Sequence, residues 1–383
     1  MSGTVERYGK GWRYRTSTGI DPATGKRRWV TKGGFATRKA ATTALNAVVS
    51  DADNGMVVSR SSVTVGAYLD EWIERAERDL KPTTAASYRN DIGHLKRELG
   101  STRVQDLTPL MVERTYHQLV KSGLKAKSVR NIHAVLRRAL GDAERLGLIV
   151  RNPAASARPP TPDRVEQSTW TPAELATFLD SVQDHRLFAS FVLSATTGMR
   201  RGEVLGLRWR DVDLEVGRLS VVHTITTVGG VPVEGDTKTN KSRRRIALDQ
   251  VTVEVMRDHR KRQVEERLLA GPLWNDSGYV FTNEDGSAVH PDRYSRWFST
   301  LVKKAGVPKI RLHDVRHTNA SIALEAGVHP KVVSERLGHA TVGITLDLYS
   351  HVSPSIDAAA AETIAGMVTV PGHPKPASQA EPA

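Results

Sequence analysis

The spacing of apolar and polar positions divides the chain into stretches of different character. Trp12, Arg13, Tyr14 and Arg15 alternate aromatic with basic residues, the two-residue period of a strand with unlike faces. A turn signal follows at 21–25, where Pro22 fixes one dihedral and Gly25 permits a positive one. The chain then returns through Lys26, Arg27, Arg28, Trp29 and Val30, which predicts a hairpin. Thr37 stands where it caps a helix from Arg38 to about Val49. From 62 to 148 the spacing is helical and predicts four helices. Val65, Tyr68, Leu69, Trp72 and Ile73 form a stripe behind a Thr64 cap. After Pro82, Tyr88, Ile92 and Leu95 form a second helix that ends near Gly100. Thr108 and Pro109 open a third with a cap and an N1 proline. Val129, Ile132, Leu136, Leu140 and Ala143 line a fourth, whose opposite side carries Arg130, Arg137, Arg138 and Arg145.

Residues 151–168 change character: Pro153, Pro159, Pro160 and Pro162 among Ala, Ser and Arg predict an extended basic linker. A new helix opens at Thr171, with Pro172 at N1, Glu174 completing a capping box and Trp170 placed to staple onto Leu175. The stretch to about 356 reads as mainly helical, with one sheet region through Arg218–Thr226 and Arg244–Leu248. After Pro371 the Pro-, Ala- and Ser-rich sequence predicts a disordered tail. No internal repeat is visible. The expected architecture is multidomain and mainly α with small β-sheets. Its parts are a small β-sheet with one helix (1–60), a four-helix domain (61–150), a linker (151–168), a mixed α/β domain (169–356) and a C-terminal segment (357–383).

Charge narrows the partner. Across 383 residues, 55 Lys and Arg face 42 Asp and Glu, a formal net charge of +13. In residues 1–60 the balance is 11 against 4, with Tyr8, Trp12, Tyr14, Trp29 and Phe35 interleaved, so the basic field is strongest there. Such a field favours a polyanion, most commonly nucleic acid. The absence of cysteine excludes disulfides, thiolate zinc sites and cysteine nucleophiles. The N-terminus has no apolar signal segment, and no run of about 18 apolar residues predicts a membrane span.

Three motifs carry chemistry. The first is Thr197, Gly198, Met199, Arg200, Arg201, Gly202 and Glu203; the second is His313, Asp314, Val315, Arg316 and His317; the third runs from Leu337, Gly338 and His339 to Tyr349. Arginine presents paired donors that match phosphate oxygens, and Arg200 and Arg316 fit that need. Glu203, one helical turn after Arg200, is placed to hold it or a neighbour. His313 and Arg316 stand three apart on one helical face, and an imidazole exchanges protons near neutral pH. His313 and His317, four apart, are also spaced to share a metal, but no third ligand is apparent and no metal is expected. Asp211 and Asp213 read as a turn rather than a nuclease site.

Motif wording and order together resemble the tyrosine recombinase (phage integrase) family, over roughly residues 1–356. The resemblance implies that Tyr349 is the nucleophile, Arg200 and Arg316 the phosphate clamp, His339 a donor to the phosphate, and Glu203 a support. Thr237, Lys238 and Thr239 resemble the family's mobile β-hairpin, whose lysine protonates the leaving oxygen; Lys241 is the alternative, and Lys238 fits better because it precedes Thr and stands four residues before Ser242. By the same resemblance residues 1–60 form an arm-type DNA-binding domain with Arg13, Arg15, Lys26, Arg27 and Arg28 on DNA. Residues 61–150 form a core-binding domain with Arg130, Arg137 and Arg138 on phosphates. The implied enzyme is a site-specific recombinase, an integrase of a phage or integrative element. It cuts and rejoins DNA through a 3′-phosphotyrosine and a Holliday junction, without cofactor or metal. Its partners are double-stranded attachment sites, three further copies of itself on DNA, an excisionase and a DNA-bending accessory protein. It is cytoplasmic, and nucleoid-associated when bound to DNA. Two alternatives remain: a chromosome-dimer resolvase of the same family, and a DNA-binding regulator on the same fold.

Overall fold

A computed structural model describes residues 3–20, 27–53, 61–163, 168–236 and 243–349. By its internal contacts the chain divides into two units, Met1–Arg164 and Val165–Ala383.

The first unit opens with strands β1 (Gly3–Tyr8), β2 (Gly11–Ile20) and β3 (Arg27–Phe35), joined in that order as an antiparallel sheet. Helix α1 (Arg38–Asp53) follows; Thr37 accepts from the Ala40 amide, as its cap position predicts. The two-residue period sorts the sheet. Tyr14 and Thr16 turn inward and are buried, as are Ala41 and Leu45 of α1, while the intervening Arg13 and Arg15 turn outward. A third strand joins the predicted hairpin because residues 3–8 pair with β2 from Gly3 with Thr16 to Tyr8 with Gly11.

Four helices follow: α2 (Val65–Ala76), α3 (Pro82–Leu99), α4 (Pro109–Lys121) and α5 (Ala126–Arg145). Thr64 and Thr108 cap α2 and α4 through their hydroxyls. Their apolar stripes meet in one core around Leu69, Leu95, Ile132, Leu136 and Leu140. Two polar groups are satisfied inside it: the Tyr68 hydroxyl donates to the Ala139 carbonyl at 2.6 Å, and Trp72 Nε1 donates to Asp142 at 2.8 Å. The predicted extended linker begins instead with a helical turn, α6 (Pro153–Ser156). Asn152 caps it, and Ala154 and Ala157 join the helical core. Proline at N1 is compatible with a helix start, so the proline run alone misread this turn.

The second unit contains α7 (Pro172–Ser181), α8 (Phe188–Thr197), α9 (Arg201–Leu205), β4 (Val212–Asp213), β5 (Arg218–Val221), β6 (His223–Val228), β7 (Val231–Asp236) and β8 (Arg244–Ala247). Helices α10 (Gln250–Ala270), α11 (Pro291–Ala305), α12 (Leu312–Glu325), α13 (Pro330–Leu337) and α14 (Gly343–Tyr349) complete it. The Thr171–Glu174 capping box forms as predicted. Trp170 packs on Phe178 and Phe298, with ring centroids 5.1 and 5.9 Å away. The expected single sheet is two: β4-β5-β8, and a separate β6-β7 hairpin. The pairing breaks after Val221, whose partner is Arg244, and β6 pairs forward with β7 instead. Among the described residues no helix is long and apolar enough to cross a membrane.

Candidate active site

Two helix ends set the site. Helix α8 stops at Gly198, whose φ of +63° is left-handed; a Cβ there would lie 2.3 Å from Leu337 and 2.9 Å from Asn319. Helix α13 stops in the same way at Gly338. Each turn exposes a carbonyl, and an arginine from elsewhere in the chain takes each one. Arg316 Nη1, on α12, donates to Gly198 O at 2.8 Å. Arg200 Nη2, at the start of α9, donates to Gly338 O at 3.1 Å. The Thr-Gly-Met-Arg motif and the Leu-Gly-His motif are therefore fastened to each other and to the middle of α12.

Glu203 organises the cations. Its carboxylate accepts from the Arg200 amide at 2.9 Å and from Arg200 Nη1 at 2.8 Å. It also accepts from both terminal nitrogens of Arg244, at 3.2 and 2.8 Å. Burial opposes its charge, but the hydrogen bonds and charge of Arg244, with those of Arg200, outweigh burial and hold its pKa below the ordinary carboxylate value. Arg244 Nε donates to Arg336 O at 2.7 Å, which closes a circuit from β8 through Glu203, Arg200 and Gly338 back to the end of α13.

Arg316 is the most perturbed cation. It is 3 % exposed, and its Nη2 has no hydrogen-bond partner among the described residues. Burial and then the nearby Arg200 charge pull its pKa down to about 9. His317 sits beside it with Nδ1 buried and without a partner among the described residues, its pKa lowered to about 4 by burial and by His313. The His313 and His317 rings meet edge to face, 5.0 Å apart at 89°. His313 keeps an edge open to solvent; burial of the rest and the Arg316 charge lower its pKa too. Among the described residues no three His, Asp or Glu side chains gather where a metal would sit.

His339 follows Gly338. Burial, then Arg316, Arg200, His317 and Arg244, lower its pKa to about 4, so the ring is neutral at pH 7. Its Nδ1 lies 2.8 Å from the Thr345 hydroxyl on α14. Tyr349 is the last residue of that helix, where the description stops at the backbone. Lys238 and Lys241 lie outside the described residues.

The structure thus brings together Arg200, Glu203, His313, Arg316 and His339 of the predicted set. Arg244 was missed because it reads as one member of a basic run. Its strand parity was the available signal: Arg244 shares a face with the buried Ile246, while Arg243 and Arg245 point outward.

The predicted DNA-facing residues belong to the first unit. The Arg13 guanidinium stands 4.1 Å over the Tyr8 ring and pairs with Glu6 at 2.6 Å, and Arg15 stands 4.4 Å over Trp29. Arg27 is exposed on β3, where Arg28 is described by its backbone alone, and Lys26 is outside the described residues. Arg130, Arg137 and Arg138 are exposed on α5.

A buried arginine with an open guanidinium nitrogen, two further arginines on one carboxylate and neutral imidazoles make a cluster of the class that favours an anion. Comparison places that class. Residues 170–355 match the phage integrase family, 5–51 an arm DNA-binding domain, and 64–120 a phage integrase N-terminal SAM-like domain. A XerC-like tyrosine recombinase of Caldanaerobacter subterraneus subsp. tengcongensis is 31 % identical over 335 residues, covering 81 % of this chain and 85 % of its own. The ICEBs1 integrase of Bacillus subtilis is 28 % identical over 342 residues, covering 88 % and 92 %. A solved Tn1549 transposon integrase in complex with transposon right end DNA superposes with a TM-score of 0.68 at 24 % identity, covering 79 % of this chain and 98 % of that one. The chain belongs to the phage integrase family of tyrosine recombinases, enzymes of DNA cleavage and rejoining.

Proposed function

We propose that the protein is the integrase of a phage or integrative element, with Arg200, Lys238, His313, Arg316, His339 and Tyr349 as its catalytic set. One observation carries this reading: Arg316 is a buried cation with a nitrogen that has no partner among the described residues, in a cluster where positive charge exceeds negative. A buried charge is costly unless paired, and an anion is the missing partner. A scissile phosphate supplies it.

The phenol has an ordinary pKa of about 10, so removing its proton at pH 7 costs on the order of 4 kcal/mol. His313, held neutral beside Arg316, accepts that proton. The Tyr349 oxygen bonds to phosphorus as the bond to the 5′ oxygen breaks, and Lys238 gives the leaving oxygen its proton. Arg200, Arg316 and His339 hold the non-bridging oxygens, where charge grows. The product is a 3′-phosphotyrosine with a free 5′-hydroxyl. A partner strand's hydroxyl reverses the step, so bond energy is conserved and neither cofactor nor metal takes part. Exchange of two duplexes needs four such sites, hence a tetramer passing through a Holliday junction.

Residues 169–356 form the catalytic domain and 61–150 the core-binding domain, joined through 151–168, with 357–383 as a C-terminal segment. Residues 1–60 hold arm sites through Arg13, Arg15, Lys26, Arg27 and Arg28, while Arg130, Arg137 and Arg138 track core-site phosphates. Cation–aromatic pairs at Arg13–Tyr8 and Arg15–Trp29 support the arm face, because they hold the cations in place on an exposed sheet. The arm module favours an integrase over a chromosome-dimer resolvase. An excisionase and a DNA-bending protein complete the assembly, which works in the cytoplasm on the nucleoid.

The test is covalent trapping on a nicked duplex carrying the element's own junction. A DNA adduct mapped to Tyr349, and absent in Tyr349→Phe, establishes the reaction. Tight binding without an adduct would favour a regulator on this fold.

A further inference from the structure

Thr345 is 0 % exposed, and its hydroxyl has one hydrogen-bond partner among the described residues, His339 Nδ1 at 2.8 Å. A helical threonine commonly donates to the carbonyl four residues back. Here the Thr341 carbonyl takes the Ile344 amide, and the Thr345 hydroxyl turns to the imidazole instead.

The direction of this bond follows from counting hydrogens. A neutral ring carries one N–H. If Nδ1 held it and donated to the hydroxyl, the hydroxyl hydrogen would be buried without an acceptor. If the hydroxyl donates to Nδ1, that hydrogen is satisfied and the ring proton sits on Nε2. Nε2 makes no hydrogen bond to any described residue, and Arg316 and Arg200 are the charges that act most strongly on the ring. An Nε2–H is a donor ready for an anion held by those arginines, whereas a bare Nε2 would repel one.

From this geometry, and resting on the reading of the site as a phosphate-cleaving centre, we propose that Thr345 is a positioning residue that fixes the Nε2–H tautomer of His339. Thr345 lies one helical turn before Tyr349 on the same short helix. The helix that delivers the nucleophile therefore also delivers the hydroxyl that sets the phosphate donor. His339 reaches its donating form only when α14 is seated, so clamp and nucleophile are completed by one docking event.

Thr345→Val keeps the shape and removes the hydroxyl; Thr345→Ser keeps the hydroxyl and removes a methyl. Single-turnover cleavage of the nicked duplex is expected to slow about 10–100-fold in Thr345→Val, the size of effect seen when a metal-bound histidine loses the partner that orients it. Thr345→Ser should stay within about threefold of wild type by the same comparison. Equal rates for wild type and Thr345→Val, or equal losses in both variants, would overturn the proposal, the second outcome pointing to packing alone. ¹⁵N imidazole shifts of His339, assigned by comparison with His339→Gln, read the tautomer in the wild-type full-length protein without turnover. A bare Nδ1 with protonated Nε2 is expected, and protonated Nδ1 would overturn the proposal even if Thr345→Val failed to fold. Wild-type protein that forms no adduct under these conditions would instead sink the cleavage reading, leaving the NMR result to decide the tautomer.

Discussion

Arg244 Nη2 lies 2.8 Å from Glu203 Oε2, with side chains 6 % and 4 % exposed, and this pair ties the return strand β8 to the arginine of the first motif. Arg244→Met would leave the buried Glu203 carboxylate with the half-exposed Arg200 as its remaining described cation. The expected cost is about 3–5 kcal/mol in a urea melt. Adding Glu203→Leu should recover part of it, so the double variant loses less than the sum of the singles. Additive losses would mean that the two side chains do not support each other.

Arg316→Lys should separate binding from chemistry. Lysine is a single charge centre and cannot donate to Gly198 O while presenting paired donors to a phosphate. Covalent cleavage should fall about 10²–10³-fold. Site affinity, spread over many contacts along the duplex, should change far less in a fluorescence-anisotropy titration. A parallel loss of both would place Arg316 in binding rather than in the reaction.

Gly198→Ala tests the turn that carries the Arg316 partner. The left-handed backbone costs a residue with a Cβ about 1–2 kcal/mol. The contacts at 2.3 and 2.9 Å add to that cost and push on the carbonyl. Gly306→Ala, with φ +71° and no atom within 4 Å, isolates the backbone cost. Thermal melts should show the larger loss at Gly198, and cleavage should drop in that variant alone.

Acid should destabilise the free protein in a defined window. His259, His317 and His339 are each held near pKa 4, chiefly by burial, against 6.5 for an unperturbed ring. The unfolded chain takes up protons first, so their contribution to stability is complete above about pH 6.5 and is lost progressively towards pH 4. His259 is 3 % exposed, donates through Nε2 to Val280 O and leaves Nδ1 bare and buried, so its share is on the order of 3 kcal/mol. Urea melts from pH 7 to 4.5 should show the slope. In His259→Gln the slope should flatten whatever the variant's stability at pH 7, and an unchanged slope would exonerate this ring.

Removing residues 1–60 should flatten the plot of log affinity against log salt for full attachment sites, by about 0.9 for each phosphate that the arm neutralises. Arg15→Ala, which empties the place over Trp29, should account for about one such phosphate by the same measure. An identical slope after the deletion would mean that the basic sheet does not touch DNA.

Local rules made much of this fold legible. The caps at Thr64, Thr108 and Thr171 are short-range chemistry, and each forms as its sequence dictates. The helical stripes from Val65 to Ala143 are periodic and fall into one core. What escaped was set by distant pairing. Strand β1 has weak patterning and is defined by its partner β2, and the sheet divides after Val221, where β5 pairs with β8 and β6 with β7. At the site, Arg200, Arg316, His313 and His339 were legible because the wording and order of their motifs resemble those of the family. Arg244 and Thr345 act through other residues, and only tertiary contact reveals which residues those are.

The open nitrogen on Arg316 has a consequence for the free and bound forms. Arg200 and Arg244 share the Glu203 carboxylate, and Arg316 lies buried beside them, so positive charge outweighs negative in this cluster. On the proposed reading DNA would be more than a substrate for this unit: its phosphate would be the counter-ion that completes the charge balance of the cluster. On the proposed mechanism the phosphotyrosine keeps the same single negative charge as the phosphodiester, so the arginines would hold their counter-ion while the strand is broken.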